Sequence, residues 1–146
     1  MALLGGGVGG AGNPVGGSFT GASLALEYIL DHCYAYSGVI TYTDTTVNAL
    51  SFTSGSGYIL ATLGVNTLDY DGDDLGVTVV LNSITVIRQR YVTLGGIEHT
   101  TNFPWTILIP PFTLVEIGLT NLTDNTSHTA NVTLTGRVYE YLPVRN

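Results

Sequence analysis

Beyond a glycine-rich start, this chain alternates apolar and polar positions with a period of two, the pattern of strands that bury one face. β-Branched and aromatic runs predict strands at Ser23–Leu30, Tyr34–Tyr42, Val47–Thr53, Tyr58–Leu63, Val77–Leu81, Ile84–Val92, Thr106–Ile109, Thr113–Asn121 and Thr129–Tyr141. Turn chemistry separates them at Asp31-His32, Thr43-Asp44-Thr45, Ser54-Gly55-Ser56-Gly57, Asp69 to Gly76, Gly95-Gly96, Pro110-Pro111 and Asp124-Asn125. Only Ser23–Cys33 also carries helical spacing, through Leu24, Ala25, Tyr28 and Ile29, and there strand and helix both stay open.

The pattern is cleanest in the C-terminal third. Val115, Ile117 and Leu119 share one face with Thr113, while Leu114, Glu116, Gly118 and Thr120 take the other. Farther on, Ala130, Val132, Leu134, Gly136 and Val138 line one face and end at Glu140. The opposite face carries Asn131, Thr133, Thr135 and Arg137, then Tyr139 and Tyr141. With the polar connection Leu122–His128 between them, these two strands predict a long antiparallel hairpin with one buried face. Evenly spaced strands, polar turns and the lack of a long helix or an internal repeat predict an all-β antiparallel sandwich of jelly-roll type.

The first seventeen residues differ from the rest. They hold eight glycines and no charge, so ordering them alone is entropically costly. The expected organisation is therefore an extended N-terminal arm, residues 1–18, followed by one sandwich domain, residues 19–146. A partner subunit is the expected anchor for the arm. The run Gly5-Gly6-Gly7-Val8-Gly9-Gly10-Ala11-Gly12 follows no strand, opens no helix and has no lysine, so it is not read as a phosphate loop.

Composition narrows the function. Charged residues make up 10% of the chain, against about 25% in ordinary soluble domains, which suits a surface that is covered by neighbours. There is no lysine, and the basic residues are Arg88, Arg90, Arg137 and Arg145. Tyrosine-rich, lysine-free composition is that of interface cores. A net charge of −7 argues against nucleic acid as a partner, because phosphate neutralisation needs clustered lysine and arginine. No apolar run is long enough to cross a bilayer, no positive n-region precedes the apolar start, and Ala2 does not fit a myristoylation signal. Cys33 is the sole cysteine, so no intrachain disulfide is available.

Candidate chemistry is sparse. Asp69, Asp71, Asp73 and Asp74 around Gly72 could converge on calcium, but the twelfth position of such a loop is Val80 where an EF-hand needs glutamate. The competing reading is an exposed acidic turn. His32, His99, His128 and Cys33 are the candidate nucleophile and base set, yet adjacent His32 and Cys33 point to opposite faces of a strand. No zinc or serine-hydrolase motif occurs, so no catalytic residue, cofactor or metal is expected. A small hydrolase with a carboxylate pair is the least favoured class. Asn121-Leu122-Thr123, Asn125-Thr126-Ser127 and Asn131-Val132-Thr133 fit the glycosylation sequon and are read as Asn/Thr-rich strand ends. Tyr34, Tyr36, Tyr42 and Tyr58 could stack on sugars, with core and interface packing as the favoured alternative.

The glycine-rich apolar arm, the lysine-free acidic β-domain and the closing segment FTLVEIGLTNLTDNTSHTANVTLTGRVYEYL together resemble the decoration or cement proteins, and related minor capsid proteins, of tailed phages. The likeness covers most of the chain. It implies a sandwich or jelly-roll subunit, commonly a homotrimer, that clamps neighbouring copies of a major capsid protein on the virion surface after synthesis in the host cytoplasm. It also implies that the arm lies across adjacent subunits, with Leu3, Leu4, Val8, Pro14, Val15 and Phe19 as its apolar contacts. The alternative function is a carbohydrate- or receptor-binding module of a phage tail or fibre.

Overall fold

The alternating pattern becomes nine strands in the computed structural model, which describes residues 26–67, 72–92 and 105–140. They are β1 (Glu27–Ile29), β2 (His32–Tyr42), β3 (Val47–Thr53), β4 (Tyr58–Thr67), β5 (Leu75–Leu81), β6 (Ile84–Tyr91), β7 (Trp105–Ile109), β8 (Leu114–Asn121) and β9 (His128–Tyr139). No helix occurs among the described residues, and Glu27–Ile29 is a strand that ends at a tight turn with Leu30 at φ 55°. The predicted arm with Leu3, Leu4, Val8, Pro14, Val15 and Phe19 lies outside the described residues, as do Asp69, Asp71, His99 and Tyr141.

Two antiparallel sheets form, ordered β1-β2-β9-β4-β7 and β3-β8-β5-β6. Only β1–β2 and β5–β6 join neighbours within a sheet; every other connection among the strands passes to the opposite sheet. Eight strands wound in this way are a jelly roll, with β1 added beside β2. The β5–β6 turn, Asn82-Ser83, has both residues at positive φ (48° and 69°), which matches the twist of the strands that it joins.

One predicted pairing is overturned. β8 and β9 do not form a hairpin: β8 lies between β3 and β5, and β9 between β2 and β4. Their faces are as predicted, with Val115, Ile117, Leu119, Ala130, Val132 and Leu134 all fully buried. Two strands with one apolar face each can bury them by meeting face to face across a core, and alternation alone does not separate that from edge pairing. Leu50, Phe52, Val77 and Val79 extend the core from one sheet, and Ala35, Ile40, Ile59, Leu63 and Ile109 from the other.

Glycine misled the strand ends. β4 continues past Gly64 to Thr67, and β5 starts at Leu75 before Gly76, where turns are the usual reading. A side chain at position 64 would meet Thr133 Oγ1 at 2.9 Å, and one at 76 would meet Leu122 at 3.0 Å. Both positions are close approaches within strands.

Candidate functional site

A bulge decides what the five-stranded sheet presents. Opposite Asn131–Thr133 of β9, the β2 register shifts at Ser37-Gly38, where Gly38 has φ 67°. The fully buried Ser37 hydroxyl accepts from the Val132 N–H at 2.8 Å and donates to the Gly38 carbonyl at 2.6 Å, which fixes the extra residue in place. Before the bulge, Tyr34 and Tyr36 face outward; beyond it, Ile40 and Tyr42 turn inward. The tyrosines grouped in the sequence are thereby split. Tyr42 is buried with its ring centroid 5.9 Å from that of His128, and only Tyr34, Tyr36 and Tyr58 remain on the outside.

Outward positions then line up across the sheet through the strand registers. Tyr36, Thr133 and Gly64 form one row, and Tyr34, Thr135, Thr62 and Thr106 the next. His32, Arg137, Leu60 and Leu108 follow, and then Tyr139 and Tyr58. Tyr36, Tyr58, Leu60, Leu108 and Tyr139 are each between 41% and 56% exposed, a large apolar area for outward sheet positions. The Tyr34 and Tyr36 rings stand 5.2 Å apart and tilted, beside an open cleft of about 440 Å³ bordered by Tyr34, Tyr36, Leu60, Thr62, Thr135 and Arg137.

Charge sits at one margin of this face. Asp31 binds His32 Nδ1 at 2.7 Å and accepts from Arg137 Nε at 3.0 Å, while the Arg137 guanidinium lies 5.8 Å from the Tyr139 ring centroid. Desolvation raises the Asp31 carboxyl, but His32 and Arg137 outweigh it and hold the carboxyl below its ordinary value. Arg137 is thus fixed over the cleft edge by a partner 106 residues away, a contact with no sequence signal. Cys33 is buried beneath the same face, and burial pushes its thiol up to about 11, so it stays protonated at neutral pH. His32 and Cys33 lie on opposite sides of β2.

The remaining candidates gather at one end of the sandwich. Asp73 accepts from Asn121 Nδ2 at 2.9 Å and lies 2.8 Å from His128 Nε2, whereas Asp74 pairs with Arg90. The two carboxylates are engaged by different partners, and no group of three or more His, Cys, Asp or Glu side chains suited to a metal occurs among the described residues. The hydrogen bond to His128, then that from Asn121, holds the Asp73 carboxyl below its ordinary range. Asn121 is 2% exposed, and its amide also donates to the Thr126 carbonyl at 3.0 Å while its oxygen accepts from the Thr123 N–H at 2.9 Å. It is a hub that ties the ends of β8 and β9, and the folded chain offers no access for a glycan there.

No protein-family model matches the chain, and no curated protein matches it. Among solved structures, it is similar to the insecticidal delta-endotoxin Cry8Ea1 from Bacillus thuringiensis, at 14% identity and a TM-score of 0.32. That match covers 77% of this chain and 18% of the toxin chain, and at this level it carries no argument about function.

Proposed function

We propose that this protein is a structural subunit of a virus particle, a capsid decoration or cement protein. It adheres to the major capsid protein and to copies of itself, as a homotrimer, and performs no chemistry. The observation that carries this reading is the outer face of the five-stranded sheet. There tyrosine and leucine occupy outward positions that a monomer in water fills with charge, and the only guanidinium among the described residues of this face, that of Arg137, is already paired. Faces of this kind are covered by another protein. An acidic, lysine-free chain suits neither nucleic acid nor an anionic membrane surface. The glycine-rich segment 1–18 would serve as a tether, and many copies acting together would offset the entropy of ordering it.

The test is co-expression with the major capsid protein of the genome that encodes this chain. The full chain should co-sediment with assembled shells at fixed stoichiometry, and both Leu60→Asp and deletion of residues 1–17 should release it. Full occupancy by both variants sinks the reading. The tilted Tyr34–Tyr36 pair beside the cleft favours a second reading, a carbohydrate- or receptor-binding module of a phage tail or fibre. Under that reading Tyr36→Ala loses saccharide binding and leaves shell binding as it was.

A further inference from the structure

The outer face of the four-stranded sheet carries a second hollow, with different residues around it. Asn48, Gly118, Thr78 and Arg88 lie in one row across β3, β8, β5 and β6, and Thr120, Gly76 and Arg90 lie in the next. Gly118 and Gly76 let the side chains of Thr46, Thr78 and Leu122 pack down closely over these rows. The hydroxyls of Thr46 and Thr120 meet at 2.6 Å along one side, and Asn48 donates to Glu116 at 3.1 Å at one end. The result is a hollow of about 450 Å³, walled by Thr46, Thr78, Thr120, Leu122, Arg88 and Arg90.

The two arginines are not equivalent. Arg90 gives Nε and a terminal nitrogen to the Asp74 carboxylate, while Arg88 makes no ion pair among the described residues. An exposed guanidinium beside three hydroxyls is a receptor for one anionic group on a hydroxylated ligand. We infer that this hollow binds a carboxylate-bearing sugar, with the carboxylate on Arg88, ring hydroxyls on Thr46, Thr78 and Thr120, and the C–H face of the ring against Leu122.

Three features select this ligand class. The floor backbone of β8 and β5 is committed to sheet hydrogen bonds on both sides, so it offers a peptide strand nothing to pair with. The walls set the hydroxyls of Thr46, Thr78 and Thr120 and the Arg88 guanidinium in a larger apolar surface that includes Leu122, which suits a ring with polar edges and an apolar C–H face. One unpaired arginine among the described residues, in a chain of net charge −7 and with Glu116 beyond Asn48, favours a single carboxylate over a polyanion. The site is on the opposite sheet from the aromatic face and does not rest on the assembly reading.

The test is titration of the isotope-labelled full chain with glucuronate and with N-acetylneuraminate, followed by amide chemical shifts. Either acid should shift Gly76, Thr78, Arg88 and Thr120 saturably, glucose should not, and added salt should weaken the effect. Arg88→Gln should weaken binding about tenfold or more with the remaining spectrum unchanged, as expected for loss of a charge-assisted contact on an exposed edge strand. Thr78→Val should weaken binding without affecting the salt dependence. The inference is overturned if neither acid gives a saturable shift at these residues, or if glucose, acetate or inorganic phosphate does as well as the sugar acids. It is also overturned if Arg88→Gln binds unchanged, or if an acidic tripeptide takes the site in preference to the sugars.

Discussion

The two sheets bury their inner faces against one core, and their outer faces differ in kind. The five-stranded sheet places Tyr34, Tyr36, Tyr58, Leu60, Leu108 and Tyr139 outward and closes its one charge cluster on itself. The four-stranded sheet places Gly76, Gly118, Thr78 and Thr120 outward and leaves Arg88 open. Identical alternation, with different residues in the outward half of it, yields a broad face of tyrosine and leucine on one side and a hollow walled by threonine and arginine on the other. Fold and function are therefore written on separate halves of the same strands, which is why one scaffold can carry two surfaces with no shared chemistry.

If the sheets differ only in their outward residues, core truncations in either should cost alike. Leu134→Ala in β9 and Leu119→Ala in β8, both fully buried, should each lower stability by about 2–5 kcal/mol in urea titrations. Similar losses in a single shared transition would show one cooperative unit. A large loss for one and almost none for the other breaks the comparison at its base.

Acid attacks the link between the sheets. Asp73 precedes β5 of one sheet, and His128 opens β9 of the other. Because the folded carboxyl is held below its ordinary range, its contribution is complete at pH values above that range. It is lost as the pH falls through about 4 and further down through the folded value. Asp73→Asn should be less stable than the parent chain near neutral pH and should lose less as pH falls from about 5 to about 3. Parallel stability curves for the two chains would remove this link.

How much of this was readable in advance follows from the range of each interaction. Alternation within a strand is local, so the buried set Val115, Ile117, Leu119, Ala130, Val132 and Leu134 was legible in the sequence. Pairing is not local: the same alternation fits β8 beside β9 or facing it across the core, and only the closed fold decides. The Ser37-Gly38 bulge had a signal, an isolated glycine inside a strand pattern, and it is what carries Tyr42 away from Tyr34 and Tyr36. The Asp31–Arg137 and Asp73–His128 contacts, 106 and 55 residues apart, had none. Gly118 reads correctly as a strand position, whereas Gly76 reads as the end of a turn, because a missing side chain has the same spelling whether it makes a turn or a close approach within a strand.

Glycine substitutions sharpen the contrast between the outer faces. A Cβ at Gly118 would meet Thr46 Cγ2 and Thr78 Oγ1, each at 2.8 Å, so both walls must move. At Gly64, on the other sheet, it would meet only Thr133 Oγ1, at 2.9 Å, a hydroxyl that can rotate. Gly118→Ala should therefore cost about 1–3 kcal/mol, and Gly64→Ala under about 1 kcal/mol. Equal costs in thermal unfolding would mean that the hollow is not a tightly walled feature.

The smallest effect on stability is the most informative about function. Leu60→Asp and Arg88→Gln both change exposed outward residues, so each should alter unfolding free energy by no more than about 0.5 kcal/mol. Their effects on binding should separate. Leu60→Asp places a charge in the middle of the apolar face, so light scattering should show loss of self-association while the sugar-acid titration stays as in the parent chain. Arg88→Gln should do the reverse, since Arg88 lies on an edge strand of the other sheet. If Leu60→Asp also abolishes the titration, the two outer faces are coupled and the sugar acid does not read the hollow alone. If Arg88→Gln also dissolves the oligomer, the four-stranded sheet belongs to the interface, and the division of labour between the faces is wrong.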